Sequence, residues 1–333
     1  MQRALNIELL RIVCMFSIVV SHIKERSCAS YPFDLLLMPH HVDCFILISG
    51  YFLVTAKFKF ERILRLLAET IFYTFAITFI LFCLGKVDVY ELVKSIFPIA
   101  PTKFAYWFVT KYFALLLLSP FLSKLCLSLT KRGYECLLLS LLLLTSSFFV
   151  IFPFGWMYAN GVSLWWMITM FVTGGYLRLY EPKFSYWGLS ALLFLVVHVF
   201  SVNFLSNIVV LHYNSLITYA LAISTFMWFK NLRISDSGIL AKIITFIAPN
   251  VFAVYLIHAH ALVMNSYFVE SFNFFVGKIP DTIYLLLFGC AVILISVLVD
   301  KIRVLLFDKL QISRNISNLG QRVDVYYEGV FTK

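Results

Sequence analysis

The hydrophobic positions of this 333-residue chain fall in long runs separated by short polar stretches. Read through a window of about 19 residues, the pattern predicts roughly ten apolar spans, near 5–23, 37–55, 66–84, 106–124, 135–152, 164–180, 184–201, 213–229, 243–265 and 282–300. The stretch from 106 to 152 is almost continuously apolar and is broken clearly only at Lys131, Arg132 and Gly133. The expected fold is therefore an all-α polytopic membrane protein of about ten transmembrane helices. No linker rich in Pro, Gly or Ser and no internal repeat interrupts the pattern, so residues 1–333 read as one membrane domain. The segment 301–333 reads as a short tail, too short for a second domain.

The first run, LNIELLRIVCMFSIVVSHI, carries the polar residues that most need explaining: Glu8, Arg11 and His22. An arginine at membrane depth costs roughly 2.5–3.5 kcal/mol on insertion scales, so a chain that keeps one usually uses it. Arg11 and His22 are separated by three helical turns plus roughly 20°, which puts them on one face, roughly 16 Å apart along the axis. Taken singly, Arg11 snorkelling to one interface and His22 sitting at the other would account for them. Their shared face, and the depth of Arg11, favour a joint role.

Charge orients the spans. With the N-terminus inside, the inner loops hold Lys57, Lys59, Arg62, Arg65, Lys124, Lys131, Arg132, Arg178, Lys183, Lys230, Arg233 and Lys242, and the tail adds six more cations. The outer loops hold the smaller set Lys24, Arg26, Lys86, Lys94, Lys103 and Lys278, with Lys111 near a helix end. N-in and C-in is the expected topology, with an even number of spans. The same asymmetry explains the net charge of +10 without nucleic acid, and no basic cluster is interleaved with a soluble aromatic surface.

Composition agrees: 62% hydrophobic, 18% aromatic and 13% charged, with a mean hydropathy of +0.91. A soluble domain carries about 25% charged residues. The seven cysteines lie mostly in apolar runs, with no Cys-x-x-Cys pair, and read as small hydrophobes rather than disulfides or metal ligands. Glu8 and Arg11 inside the first run, with no small-residue cleavage site after it, argue against a cleaved signal peptide.

Further candidates follow in order. Asp43, in the second run, is an acid within an apolar helix. It can orient and charge-stabilise a histidine, or simply neutralise a buried cation. Ser49-Gly50 and Gly174-Gly175 suit close helix packing. Arg62 and Arg65 are three apart, so a helix start sets both guanidinium groups on one side, suited to phosphates; Lys57 and Lys59 read as ordinary loop cations. Trp107 reads first as an interfacial aromatic. His258 and His260 stand at i and i+2, which does not give one helix face, so no metal site is expected there, although one of them can face the interior.

Taken together, these motifs resemble the membrane-bound acyltransferase-3 family, the bacterial polysaccharide O-acyltransferases. Arg11 and His22 match its Arg-x10-His signature. Asp43 to Phe45 with Ser49-Gly50-Tyr51 looks like its second-helix pattern, and Arg62 and Arg65 match its Arg-x-x-Arg loop. Tyr106-Trp107-Phe108, Ser119-Pro120-Phe121, the Gly175 region and Tyr255-Leu256-Ile257-His258 fall in its order. Glu8 stands where many relatives have Asp or Asn, and the extracytoplasmic esterase-like domain that some relatives append is absent from this sequence. The resemblance implies an enzyme of the bacterial inner membrane that takes an acetyl or other acyl group from cytoplasmic acetyl-CoA, with no metal. It would place the group on a hydroxyl of a cell-surface polysaccharide or its lipid-linked sugar precursor. Arg62, Arg65 and Arg11 would then hold the donor's phosphates, and His22 would act as general base or accept the acyl group. Asp43 would orient His22, while Trp107 and His258 would contact substrate. Lipid is the expected surrounding partner, with oligomeric state left open. The rival readings are a transporter or flippase for a lipid-linked glycan, and a membrane sensor or scaffold without chemistry.

Overall fold

In a bilayer every backbone N–H and C=O must find a partner inside the protein, and a helix meets that demand within each run. The computed structural model describes residues 4–26, 40–97, 106–146, 161–204, 212–264 and 281–331. Among these residues, helices account for every element: α1 Leu5–Arg26, α2 His40–Leu53, α3 Glu61–Cys83, α4 Val89–Lys94, α5 Trp107–Ser128, α6 Lys131–Thr145, α7 Leu164–Tyr180, α8 Trp187–Phe204, α9 Leu216–Asn231, α10 Ile239–Ile247, α11 Val251–His258, α12 Asp281–Lys309 and α13 Ile312–Phe331. Each of the ten predicted runs overlaps helix among the described residues. Among those residues, five stretches are long and apolar enough to cross a membrane: Leu5–Glu25, Glu61–Cys83, Trp107–Ser128, Ile239–His258 and Ile283–Lys309. The predicted positions 37–39, 147–152 and 265, together with Lys103, Lys278 and Cys28, lie outside the described residues.

Three boundaries differ from expectation, each for a physical reason. The ninth run is broken at Ala248–Asn250, a 3-10 turn around Pro249, because proline lacks the N–H that a continuing helix needs. Helix α3 starts at Glu61 rather than near 66, taking both loop arginines into its first turns. The tail is helical among the described residues. Helix α12 runs on to Lys309, and α13 adds 20 residues of helix. Its inner face is Ile312, Ile316, Gly320, Val323 and Tyr327, spaced three or four apart. A hydropathy window averages this one-sided pattern away.

The chain divides into two compact units, one of residues 1–21, 30–56 and 118–248, the other of 22–29, 57–117 and 249–333. In the first, α2 and α7 touch backbone to backbone. A Cβ on Gly50 would run into the carbonyl of Phe171, and one on Gly174 into the carbonyl of Leu47, so glycine is what permits the approach. Several buried polar groups inside this unit are paired. Trp166 Nε1 donates to Asp43 Oδ1 at 2.9 Å, Tyr134 Oη to the Val172 carbonyl at 2.8 Å, and Asn214 Nδ2 to the Thr145 carbonyl at 2.7 Å.

In the second unit, α3 packs on α12 through a buried polar chain. Tyr73 Oη donates to Asp300 Oδ1 at 2.6 Å. Arg303 reaches the same carboxylate at 2.6 Å and Glu69 at 3.4 Å. Asp300 and Arg303 are almost fully buried, and their mutual pairing is how ionised groups persist in an apolar setting. The outward side of α12 is a run of exposed Leu, Ile and Val, including Leu287, Ile295, Leu298 and Leu305, a surface suited to lipid.

Candidate active site

Helix α1 is unbroken from Leu5 to Arg26, so Arg11 and His22 lie on one element. Arg11 belongs to the first unit and meets Glu8 at 2.9 Å, one turn back. Glu8 is thus the counter-charge that lets a guanidinium sit in this helix.

His22 belongs to the second unit, where its Nδ1 lies 3.1 Å from Nε2 of His258. His258 is completely buried. Its own Nδ1 is 2.6 Å from the carbonyl of Val254, in the preceding turn of α11. A carbonyl can only accept, so His258 carries its proton on Nδ1, and the Nε2 of a neutral ring is then an acceptor. It follows that His22 donates through Nδ1, and that its Nε2 bears the lone pair. With both rings neutral, this arrangement puts the basic lone pair of His22 on Nε2.

Aromatic side chains hold α11 in register for this contact. Tyr106 Oη donates to the Leu256 carbonyl at 2.6 Å, near the end of α11, where carbonyls lack helical partners. The Tyr255 ring packs 5.6 Å from Tyr106, 5.9 Å from Phe108 and 6.0 Å from His258. Trp107 opens α5 half-buried, edge-on to Phe108 at 5.9 Å.

Within the second unit the ring that meets His22 Nδ1 is His258. Asp43 lies in the first unit, almost fully buried, with Trp166 on one oxygen; Asp43 Oδ2 has no hydrogen bond among the described residues. The sequence reading placed His258 only as a weak substrate contact. Its signal was present in the Pro249 break, which starts a short helix ending on that residue.

Arg62 and Arg65 occupy the first turns of α3, also in the second unit. Arg65 is held by Glu61 at 2.7 Å and is half exposed. The Arg62 side chain is half-buried and has no hydrogen-bond or ion-pair partner among the described residues, which leaves its five donors available.

The His22 pair makes one expected outcome specific. Replacing His258 by Phe keeps an aromatic ring against Tyr255 but removes the acceptor for His22 Nδ1–H. Turnover of an acyl donor with acceptor should fall about tenfold to a hundredfold, the scale of a hydrogen bond to a group that becomes charged. Gln, which can present an oxygen, should recover part of it. Equal rates for Phe and Gln would remove the hydrogen bond from the account.

A family model described as an acyltransferase domain, that of the acyltransferase-3 family, matches residues 5–301. No curated protein and no solved structure matches the chain. The matched span runs from the start of α1 through α11 and most of α12, and includes the histidine pair and both loop arginines. A chain that is all-helical among the described residues, has several membrane-length apolar helices and is matched over nearly its whole length belongs to the acyltransferase-3 family.

Proposed function

We propose that this protein is a multi-pass enzyme of the bacterial inner membrane that moves an acetyl or related acyl group from cytoplasmic acyl-coenzyme A to a sugar hydroxyl. The acceptor is a cell-surface polysaccharide or its lipid-linked precursor. In this reading there are ten spans, with both termini inside. The observation that carries it is the hydrogen-bonded histidine pair, whose proton arrangement leaves a base at His22 Nε2.

The chemistry follows from that atom. His22 Nε2 takes the proton of the acceptor hydroxyl as its oxygen attacks the thioester carbonyl carbon. The resulting imidazolium keeps its Nδ1–H on His258. The C–S bond then breaks, and the departing thiolate recovers the proton from His22 Nε2, leaving an ester and free coenzyme A. Arg62, with Arg65 beside it, offers guanidinium donors to the donor's phosphates. This division of labour gives both arginines and the histidine pair a use, which a flippase does not.

The test is a comparison of surface glycans from a strain lacking the gene and its parent by NMR. Loss of ester signals with the sugar chain intact is expected. Unchanged esters with loss of the glycan itself would favour the transporter.

A further inference from the structure

Helix α3 begins without a capping side chain of its own, because its N-cap position is Phe60. The missing acceptor comes from elsewhere in the second unit: Asp324 of α13 accepts from the Phe60 N–H at 2.7 Å. A carboxylate here meets an orphan donor and the positive end of the helix dipole together. Three more contacts fix the arrangement. The Tyr327 ring lies 5.0 Å from Phe58 and stacks on Phe60 at 6.5 Å. Gly320 lies so close that a Cβ there would stand 2.8 Å from the backbone nitrogen and Cβ of Glu61. The segment gripped in this way, Phe58 to Glu61, leads directly into Arg62, and Glu61 is also the carboxylate that holds Arg65. The family match ends at residue 301, so α13 lies beyond what that match describes.

We propose that Asp324 and Tyr327 are positioning residues for the donor site: α13 caps α3 in trans and sets the direction in which Arg62 and Arg65 present their guanidinium groups. This rests on the reading of those arginines as phosphate ligands. Neither residue of α13 touches the donor in this account. They act by fixing the helix start from which the arginines project, and so affect how firmly the donor is held rather than how fast it reacts.

The experiment measures KM for acetyl-CoA, KM for the sugar acceptor, and kcat, on the full-length purified protein in proteoliposomes. The variants are Asp324→Ala, Asp324→Asn, Tyr327→Leu and Arg62→Gln, with Asn318→Ala on the exposed side of α13 as control. Asp324→Ala should raise donor KM about fivefold, the scale of losing a helix cap, with acceptor KM and kcat nearly unchanged. Asp324→Asn, whose amide oxygen can still accept from Phe60, should return donor KM close to wild type. Tyr327→Leu, which leaves that hydrogen bond in place, gives a second route to the same shift if Asp324→Ala accumulates poorly. If Arg62→Gln raises donor KM while Asp324→Ala and Tyr327→Leu do not, the positioning role fails and the phosphate reading stands. If none of them moves donor KM, both fail. A uniform loss of kcat in both Asp324 variants, without rescue by Asn, would make α13 a purely structural prop and would also overturn the proposal.

Discussion

Replacing His22 with alanine is expected to lower kcat for acyl transfer by about 10²–10⁴-fold, the usual contribution of a positioned general base. The Val254 carbonyl holds the proton of His258 on Nδ1, its Nε2 then accepts from His22, and a neutral His22 carries its basic lone pair on Nε2. Alanine removes that base and leaves everything that holds α11 in place, because Tyr106 grips the Leu256 carbonyl independently of His22. Protein abundance in the membrane and donor KM should therefore stay near wild type while kcat collapses. A variant that reaches the membrane and transfers acyl groups at the normal rate would remove His22 from the chemistry.

The second large effect is expected at the start of α3 and should appear in a different constant. Arg62→Gln should raise donor KM about tenfold to a hundredfold, the range for hydrogen bonds to charged groups, with a smaller change in acceptor KM. Arg65→Gln should do less. Its guanidinium already shares Glu61 and is half exposed, and such pairs are worth at most about 1 kcal/mol. Because the attraction is between solvent-accessible charges, donor KM of the wild type should also rise with ionic strength, and this dependence should flatten in Arg62→Gln. Acceptor KM rising more than donor KM would place these arginines on the sugar instead.

Much of the helix content could be read from the chain because lipid imposes one rule on every span, and apolar runs announce it. That Arg11 and His22 share one helix was legible too, since the apolar run carries both. What could not be read were pairings across the chain. His22 and His258 are 236 positions apart, and no local pattern says which buried acceptor an imidazole will find. The Asp43 carboxylate meets Trp166, a residue whose indole gave no signal beyond being apolar. The Tyr73–Asp300–Arg303–Glu69 chain was hidden for the same reason, with its members on two helices far apart in sequence. Helix α13 was a different kind of miss. Its spacing of Ile312, Ile316, Gly320, Val323 and Tyr327 was in plain view, yet a search tuned to long apolar runs passes over a helix that is apolar on one side only.

The claim on which the rest depends is that a thioester's acyl group leaves this protein as an oxygen ester on a sugar. It is tested most directly by supplying acetyl-CoA labelled in the acetyl group to purified protein in proteoliposomes with a glycan acceptor, and following the label. The account predicts label on the glycan, released by mild hydroxylamine, with one free coenzyme A thiol formed for each ester. Glycan that crosses the bilayer unlabelled, with the donor thioester intact, would contradict it.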